Sequence, residues 1–350
     1  MFDGFYTNKK VLITGHTGFK GTWMCALLKK LGADIYGYSL EAPTDPSLFE
    51  LTRMSERINS EIGDIRDFEH INSYVQEVEP DIIFHLAAQP IVRTGYSEPR
   101  MTYETNVMGT VNILEAVRNS KNVQSFVNIT TDKVYDNTDD KYIYSENDRL
   151  DGYDPYSNSK SCSELVTHSY RRSFFDKSDS CAISTVRAGN VIGGGDFADF
   201  RIIPDCVNAG MNNEEIIIRN PNSIRPFQHV LEPLFAYLLI GKEQVTDREK
   251  IGCYNIGPEV DDCVTVGTIA TSFCKHWGNG LKWKSISDNG PHESNFLRLD
   301  CSLIKKVFGY SPRWNIDKAV EKVVEWSKVW ISGGDVFDCM NKQIDEFIKG

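Results

Sequence analysis

A phenol and a primary amine stand four residues apart in the stretch DPYSNSK, as Tyr156 and Lys160. On a helix that spacing puts both on one face. Asp154 and Pro155 suit the cap and first turn of such a helix. Tyrosine near pKa 10 is a poor base at neutral pH. An adjacent ammonium stabilises the phenolate and lowers that value, so the pair can take a proton from a substrate hydroxyl as hydride leaves. Tyr-x-x-x-Lys on its own is common and usually an exposed pair, so its weight depends on its surroundings. A second candidate lies upstream, where the strand-like run SFVNIT leads into Thr131, Asp132 and Lys133. An acid and an amine side by side at a strand end are either a solvated turn or a proton-handling couplet.

The third element is a glycine loop. Gly15, Gly18 and Gly21, with Thr17 and Phe19 between them, follow the first strand-like run KKVLIT and open a helical pattern. Glycines there let backbone approach a pyrophosphate, and the helix N-terminus favours its charge. The spacing is G-x-x-G-x-x-G, and its place at the head of a strand–helix series makes it a dinucleotide loop. No acid stands at the end of the second strand to hold an adenosine ribose; Ser39 occupies that place, with no arginine directly after it. The pattern favours NAD over NADP. Asp64 and Ile65 in GDIRD suit the adenine amino group and ring face, and Leu86, Ala87 and Ala88 in HLAAQ give the cofactor close passage past the fourth strand.

These groups need a scaffold that delivers loop ends to one edge. Strand-length apolar runs (KKVLITG, ADIYGYS, NSEIGD, PDIIFHLAA, VQSFVNITT) alternate with helical patterns such as GTWMCALLKKLG and VMGTVNILEAVRNS. Such alternation predicts βαβ units and a Rossmann-like doubly wound parallel sheet. CAISTVRAGNV reads as a further strand and GCYNIG as the last. The rhythm changes after residue 189, where loop-rich segments separate the helical patterns LEPLFAYLLIGKEQV and IDKAVEKVVEWSKVW. The expected division is a dinucleotide-binding domain over 1–189, rejoined by a strand near 253–256, and a mainly substrate-binding lobe over 190–350.

The 350 residues are 41% hydrophobic and 25% charged, with a formal net charge of −11. That balance disfavours nucleic acid and anionic membranes as partners. Nine scattered cysteines form no C-x-x-C pair and no metal-ligand spacing, so no metal is expected and the cysteines read as small core residues. The N-terminus has no apolar signal core and no stretch is apolar enough to span a bilayer, which predicts a cytoplasmic protein.

The glycine loop, the LAA run and Tyr156 with Lys160 together resemble the extended short-chain dehydrogenase/reductase family of nucleotide-sugar enzymes. Thr-Asp-Glu at the fifth strand's end marks its sugar-nucleotide 4,6-dehydratases; here it is Thr131-Asp132-Lys133. With that departure, GHTGFKGTW, AAQPIVR, YDPYSNSK, RAGNVIGGGD and IRPFQHVLEPL are similar to the members that take CDP-glucose, over nearly the whole chain. The resemblance implies oxidation at sugar C4 with NAD⁺ as acceptor, loss of water across C5 and C6, and return of the hydride to C6. It gives Tyr156 the C4 hydroxyl proton, Lys160 the nicotinamide ribose, Thr131 the C4 oxygen and Asp132 the departing C6 hydroxyl. Lys133 replaces the glutamate that serves as C5 base. A solvated lysine is mostly protonated, so it is either a base with a lowered pKa or a cation that stabilises the enolate. A homodimer through the helices of Tyr156 and of the segment after Asn106 is also implied.

A nucleoside diphosphate on an acidic protein needs local cations, and arginine offers a bidentate fork. Arg201, Arg219 and Arg225 are the candidates, with Asn190, Gln89, Arg93, His229 and His292 for the sugar or phosphate. The competing reading is another nucleotide-sugar enzyme of the same fold, either a dehydratase of a different NDP-sugar or a 4-epimerase, which needs the tyrosine and cofactor but no acid–base couplet. A cofactor-sensing protein of the same fold would be free to lose Tyr156 or Lys160.

Overall fold

The structure, a computed structural model, describes residues 2–137, 142–177, 179–286 and 297–350. Seven parallel strands form its central sheet: β1 (Lys10–Thr14), β2 (Asp34–Ser39), β3 (Asn59–Ile62), β4 (Ile82–His85), β5 (Ser125–Ile129), β6 (Ala182–Ala188) and β7 (Cys253–Ile256). Their order is β7-β6-β5-β4-β1-β2-β3. The chain runs outward from β1 in one direction, then restarts at β4 and runs in the other. The reversal leaves a crevice between β1 and β4 at the carboxyl edge, where ligands of such sheets bind.

The longer helices are α1 (Phe19–Lys30), α2 (Phe68–Val78), α3 (Gly109–Asn119), α4 (Pro155–Phe174), α5 (Ile202–Asn212), α6 (Leu231–Thr246), α7 (Val266–Trp277), α8 (Ile316–Ile331) and α9 (Val336–Lys349). Successive strand residues serve opposite faces. Val11, Ile13, Ile82 and Phe84 join a core with Leu27, Leu234 and Ile344. Leu12, Ile83 and Phe126 join another with Ile71, Val75, Ile113 and Leu114. The strands are therefore apolar on both sides, as a helix-covered parallel sheet requires.

The later part of the chain divides less simply than the expected boundary at 189. A separate core of Ile203, Cys206, Ile216, Phe227, Ile269 and Phe273 defines the second lobe. The strand near 253–256, β7, pairs with β6 in register; beyond it, α6 covers the sheet and α9 lies on α1. The reason is visible in α9, whose Val336, Met340, Ile344 and Phe347 form one apolar stripe that needs the larger core. Among the described residues no helix is long and apolar enough to cross a membrane.

Candidate active site

The glycine loop lies at the crevice. Gly15 has φ +79°, and a Cβ there would sit 2.8 Å from the Ala87 nitrogen. A side chain is therefore excluded both by backbone conformation and by β4's continuation. Thr14 holds the two strand ends together, since the Leu86 N–H donates to its carbonyl (3.1 Å) and the Ala87 N–H to its hydroxyl (3.2 Å). Gly18 caps α1 with extended backbone and no side chain in the way. Ser39 and Thr17 share a hydrogen bond of 2.9 Å across the loop. Ile65 is buried against Gly109, and Asp64 pairs with Arg66, which holds its carboxyl below the usual range. The bare loop, the helix N-terminus and the serine at β2 fit a dinucleotide without a 2′-phosphate.

Helix α4 begins as its sequence implies. Asp154 accepts from the Ser157 N–H at 3.0 Å, and Pro155 occupies the first turn. Tyr156 and Lys160 then point to the same side, with 8% and 4% of their surface exposed. The Lys160 ammonium donates to the Ile129 carbonyl at 3.1 Å, fixing α4 to the end of β5. There Thr131 donates to Asp132 at 3.0 Å, and Asp132 is only 2% exposed. Its second carboxylate oxygen is buried without a hydrogen-bond partner. A solvated turn is thereby ruled out for Asp132, while Lys133 is half-buried.

Burial dominates the electrostatics. It raises the Asp132 carboxyl, against the pull of Lys133, Thr131, Arg225 and Lys20. It lowers Lys160 to about 7, with Lys20 pushing the same way. The phenol departs from expectation: burial pushes Tyr156 up to about 12, and the groups that draw it down are Thr131 and Arg201, not Lys160. An amine that is itself desolvated and committed to a carbonyl contributes little to a phenolate.

Of the expected substrate residues, Arg201 and Arg225 reach this cluster. Arg201 faces Tyr156 while paired to Asp196 at 2.9 Å; Arg225, 6% exposed, faces Asp132. Asn190 is half-buried, its carbonyl accepting from Gln228. Arg93 stacks over the Phe200 ring at 4.6 Å, and exposed Arg219 faces Asp205. Two expectations change. His229 is fully buried between Trp23 and Trp314, with burial pushing it to about 3, so it is a core residue with no surface for a ligand. Gln89 is also structural: its amide donates to Thr102 and accepts from Ile91 N–H, and its backbone binds Asn106. His292 lies outside the described residues.

Three groups carried no readable signal. Asn106 sits in a π-helical turn, Glu104–Met108, that brings its amide onto both Gln89 and Ser159; such turns are frequent at functional sites. Tyr237 of α6 faces Tyr156 and Asp132 with its hydroxyl buried and unpartnered. Lys20, in the first turn of α1, sets its ammonium 5.9 Å from the Tyr237 ring. Its only sequence signal is a cation inside the otherwise neutral loop GHTGFKG.

Sequence spacing also concealed a group of metal-ligand types, Glu164, His168 and Cys253, whose ligand atoms lie within 4.8 Å of one another. Glu164 is already saturated by Arg187, Thr130 and Thr185. A hollow at the opposite edge of the sheet, lined by Lys10, Asp81, Gln124 and Arg248, contains none of the candidate residues.

Comparison with known proteins accords with this geometry. The family model described as GDP-mannose 4,6 dehydratase matches residues 12–323. The CDP-glucose 4,6-dehydratase of Salmonella typhimurium strain LT2 is 46% identical over 350 residues, covering 99% of this chain and 98% of that one. The fold is that of UDP-glucuronic acid 4-epimerase from Bacillus cereus, solved with UDP-glucuronic acid and NAD (TM-score 0.78, 22% identity, 92% of this chain and 99% of that one). It is equally that of dTDP-glucose 4,6-dehydratase from Bacillus anthracis, solved with NAD (TM-score 0.77, 19% identity, 94% and 99%). The chain belongs to the GDP-mannose 4,6 dehydratase family, within the extended short-chain dehydrogenases/reductases.

Proposed function

We propose that the protein is an NAD-dependent CDP-glucose 4,6-dehydratase, converting CDP-glucose to CDP-4-dehydro-6-deoxyglucose and water. The observation that carries this is the burial of Thr131 and Asp132 beside Tyr156, with Lys133 half-buried next to them, an arrangement an epimerase does not need. NAD, which the Gly15–Gly21 loop and Lys160 would hold, would supply a reversible hydride acceptor that the net reaction leaves unchanged.

The residues divide the proton work. Tyr156 takes the C4 hydroxyl proton, with Thr131 hydrogen-bonding the oxygen and Arg201 favouring the phenolate. Lys160, anchored to Ile129, is placed to grip the nicotinamide ribose. The C4 ketone acidifies the C5 hydrogen, and Lys133 removes it. Asp132, whose carboxyl burial raises, gives its proton to the departing C6 hydroxyl. Arg225 and Arg201, which adjoin Asp132 and Tyr156, are the proposed diphosphate contacts; each offers the fork that a diphosphate matches.

The preference for cytosine rests on the likeness to the Salmonella relative. Two copies are expected to associate through α3 and α4, supported by exposed Met108, Leu165 and Phe174 near those helices. The enzyme is expected to act in the cytoplasm, where nucleotide sugars are made. The test is a thermal-shift panel of CDP-, dTDP-, GDP- and UDP-glucose, followed by turnover of the best ligand. CDP-glucose should give the largest shift and a product with the alkaline absorbance of a 4-keto sugar. A product that is merely an epimerised hexose would sink the proposal.

A further inference from the structure

Seven polar side chains from five separate elements meet at the carboxyl edge of the sheet. Asp132 is the acid among them, and its second oxygen is buried with no protein donor. From its own turn it is faced by Thr131 and Lys133, from the short strand Ile224–Arg225 by Arg225, and from α1 by Lys20. Tyr156 of α4 and Tyr237 of α6 also lie within its electrostatic reach. Lys20 in turn is faced by Arg201, Asp132 and Lys160, with the Tyr237 ring beneath its ammonium. No family role assigned above uses Lys20. Yet it is the one cation delivered to the acid by the cofactor loop itself.

We propose that Lys20 is a positioning residue for the proton on Asp132: its ammonium stabilises the carboxylate left behind when that proton goes to the departing C6 hydroxyl. The step balances within the site. The C5–H pair becomes the C5–C6 double bond, the C5 proton goes to the base, the C6–O bond breaks with its electrons on oxygen, and the Asp132 proton completes the water. A carboxyl in a dry pocket holds its proton well but gives it up reluctantly, because its conjugate base lacks solvent. A half-buried ammonium whose charge reaches the carboxyl supplies that solvation only as charge develops, which is where catalysis gains. Burial lowers Lys20 to about 8, so the amine is still mostly charged at neutral pH.

This inference rests on Asp132 being the elimination acid, and the experiment separates the two. Lys20→Met, Lys20→Arg and Asp132→Asn are prepared as holoenzyme, and NAD content and melting temperature are measured first. Nicotinamide absorbance is then followed in a single turnover, and kcat over pH. Lys20→Met should oxidise C4 at full amplitude but accumulate reduced cofactor, with kcat down about 10- to 100-fold. Its fall of kcat at high pH should move up by about one unit, because the cation that eases loss of the Asp132 proton is gone. Lys20→Arg should keep the wild-type limb and most of the rate.

The proposal is overturned if the limb stays in place in Lys20→Met with no accumulation. It is equally overturned if Lys20→Arg shifts the limb as methionine does, or if Lys20→Met merely loses NAD and regains full turnover when NAD is added. Should Asp132→Asn eliminate at the wild-type rate, the assignment of the acid falls, and the role of Lys20 with it.

Discussion

Replacing Arg187 by methionine should unfold the site's foundation before it touches the chemistry. Arg187 is 1% exposed and Glu164 0%, and two guanidinium nitrogens each reach a Glu164 oxygen at 3.1 Å. Thr130 and Thr185 complete the carboxylate at 2.5 and 2.6 Å. Burial alone raises Glu164, but Arg187, His168 and Thr130 together hold it far below the usual carboxylate range. Removing one partner of such a pair strands a buried charge, at a cost of about 3–5 kcal/mol. For a chain of this size that corresponds to roughly 6–10 °C in melting temperature, taking about 2 °C per kcal/mol. Tryptophan fluorescence melts of wild type, Arg187→Met and Arg187→Met with Glu164→Gln measure it. The double variant should recover about 2 kcal/mol, since the amide keeps the threonine bonds without the charge. The pH sign follows: a depressed carboxylate contributes above about pH 4.3 and is lost as acid protonates it. Without Arg187 burial raises the folded carboxyl back towards or above its unfolded value, so that acid-linked loss should shrink or reverse. A single variant within about 1 kcal/mol of wild type, or a double no better than the single, would refute the reasoning.

Gly15→Ala forces a Cβ against the Ala87 backbone at positive φ, and should purify with at least about tenfold less NAD, read from nicotinamide released on denaturation; unchanged retention would contradict the loop assignment. His16, His85 and His229 are buried, with pKa values lowered by burial to about 4, 3 and 3. Each stays neutral when folded but protonates below about pH 6.5 when unfolded, so stability should fall as pH drops from 6.5 towards 4. Denaturant melts from pH 7 to 5 should lose about 2 kcal/mol per histidine, and His229→Gln should remove one share of that slope. Lys133→Met should slow solvent-deuterium entry at sugar C5 by about 100-fold; undiminished exchange would leave that lysine only an electrostatic role.

What was legible in the chain is what depends on near neighbours. The Asp154 cap, the Tyr156–Lys160 face and the glycine loop after β1 are set within a few residues, and periodicity carried the strands that position them. What escaped depends on long-range assembly. Lys20 and Tyr237 lie 217 positions apart in the sequence and meet only because α1 and α6 cover the same sheet face. His229, placed in a motif beside Gln228, read as a ligand because nothing local shows that Trp23 and Trp314 enclose it. Gln89 read as a substrate contact because its partners, Thr102 and Asn106, are chosen by the fold. The phenol's upward shift was hidden for the same reason: spacing gives the neighbour, not the water excluded around it.

The Asn106 amide braces the end of β4 against α4 through Gln89 and Ser159, and Ser159 bonds back to the Tyr156 carbonyl at 2.7 Å. One side chain thus ties the wall of the cofactor crevice to the helix bearing the phenol. Arg201 and Arg225, proposed above for the diphosphate, adjoin the other core and lie outside that contact. Nucleotide preference can therefore drift, or be re-engineered, by repacking the second lobe while the hydride geometry stays put.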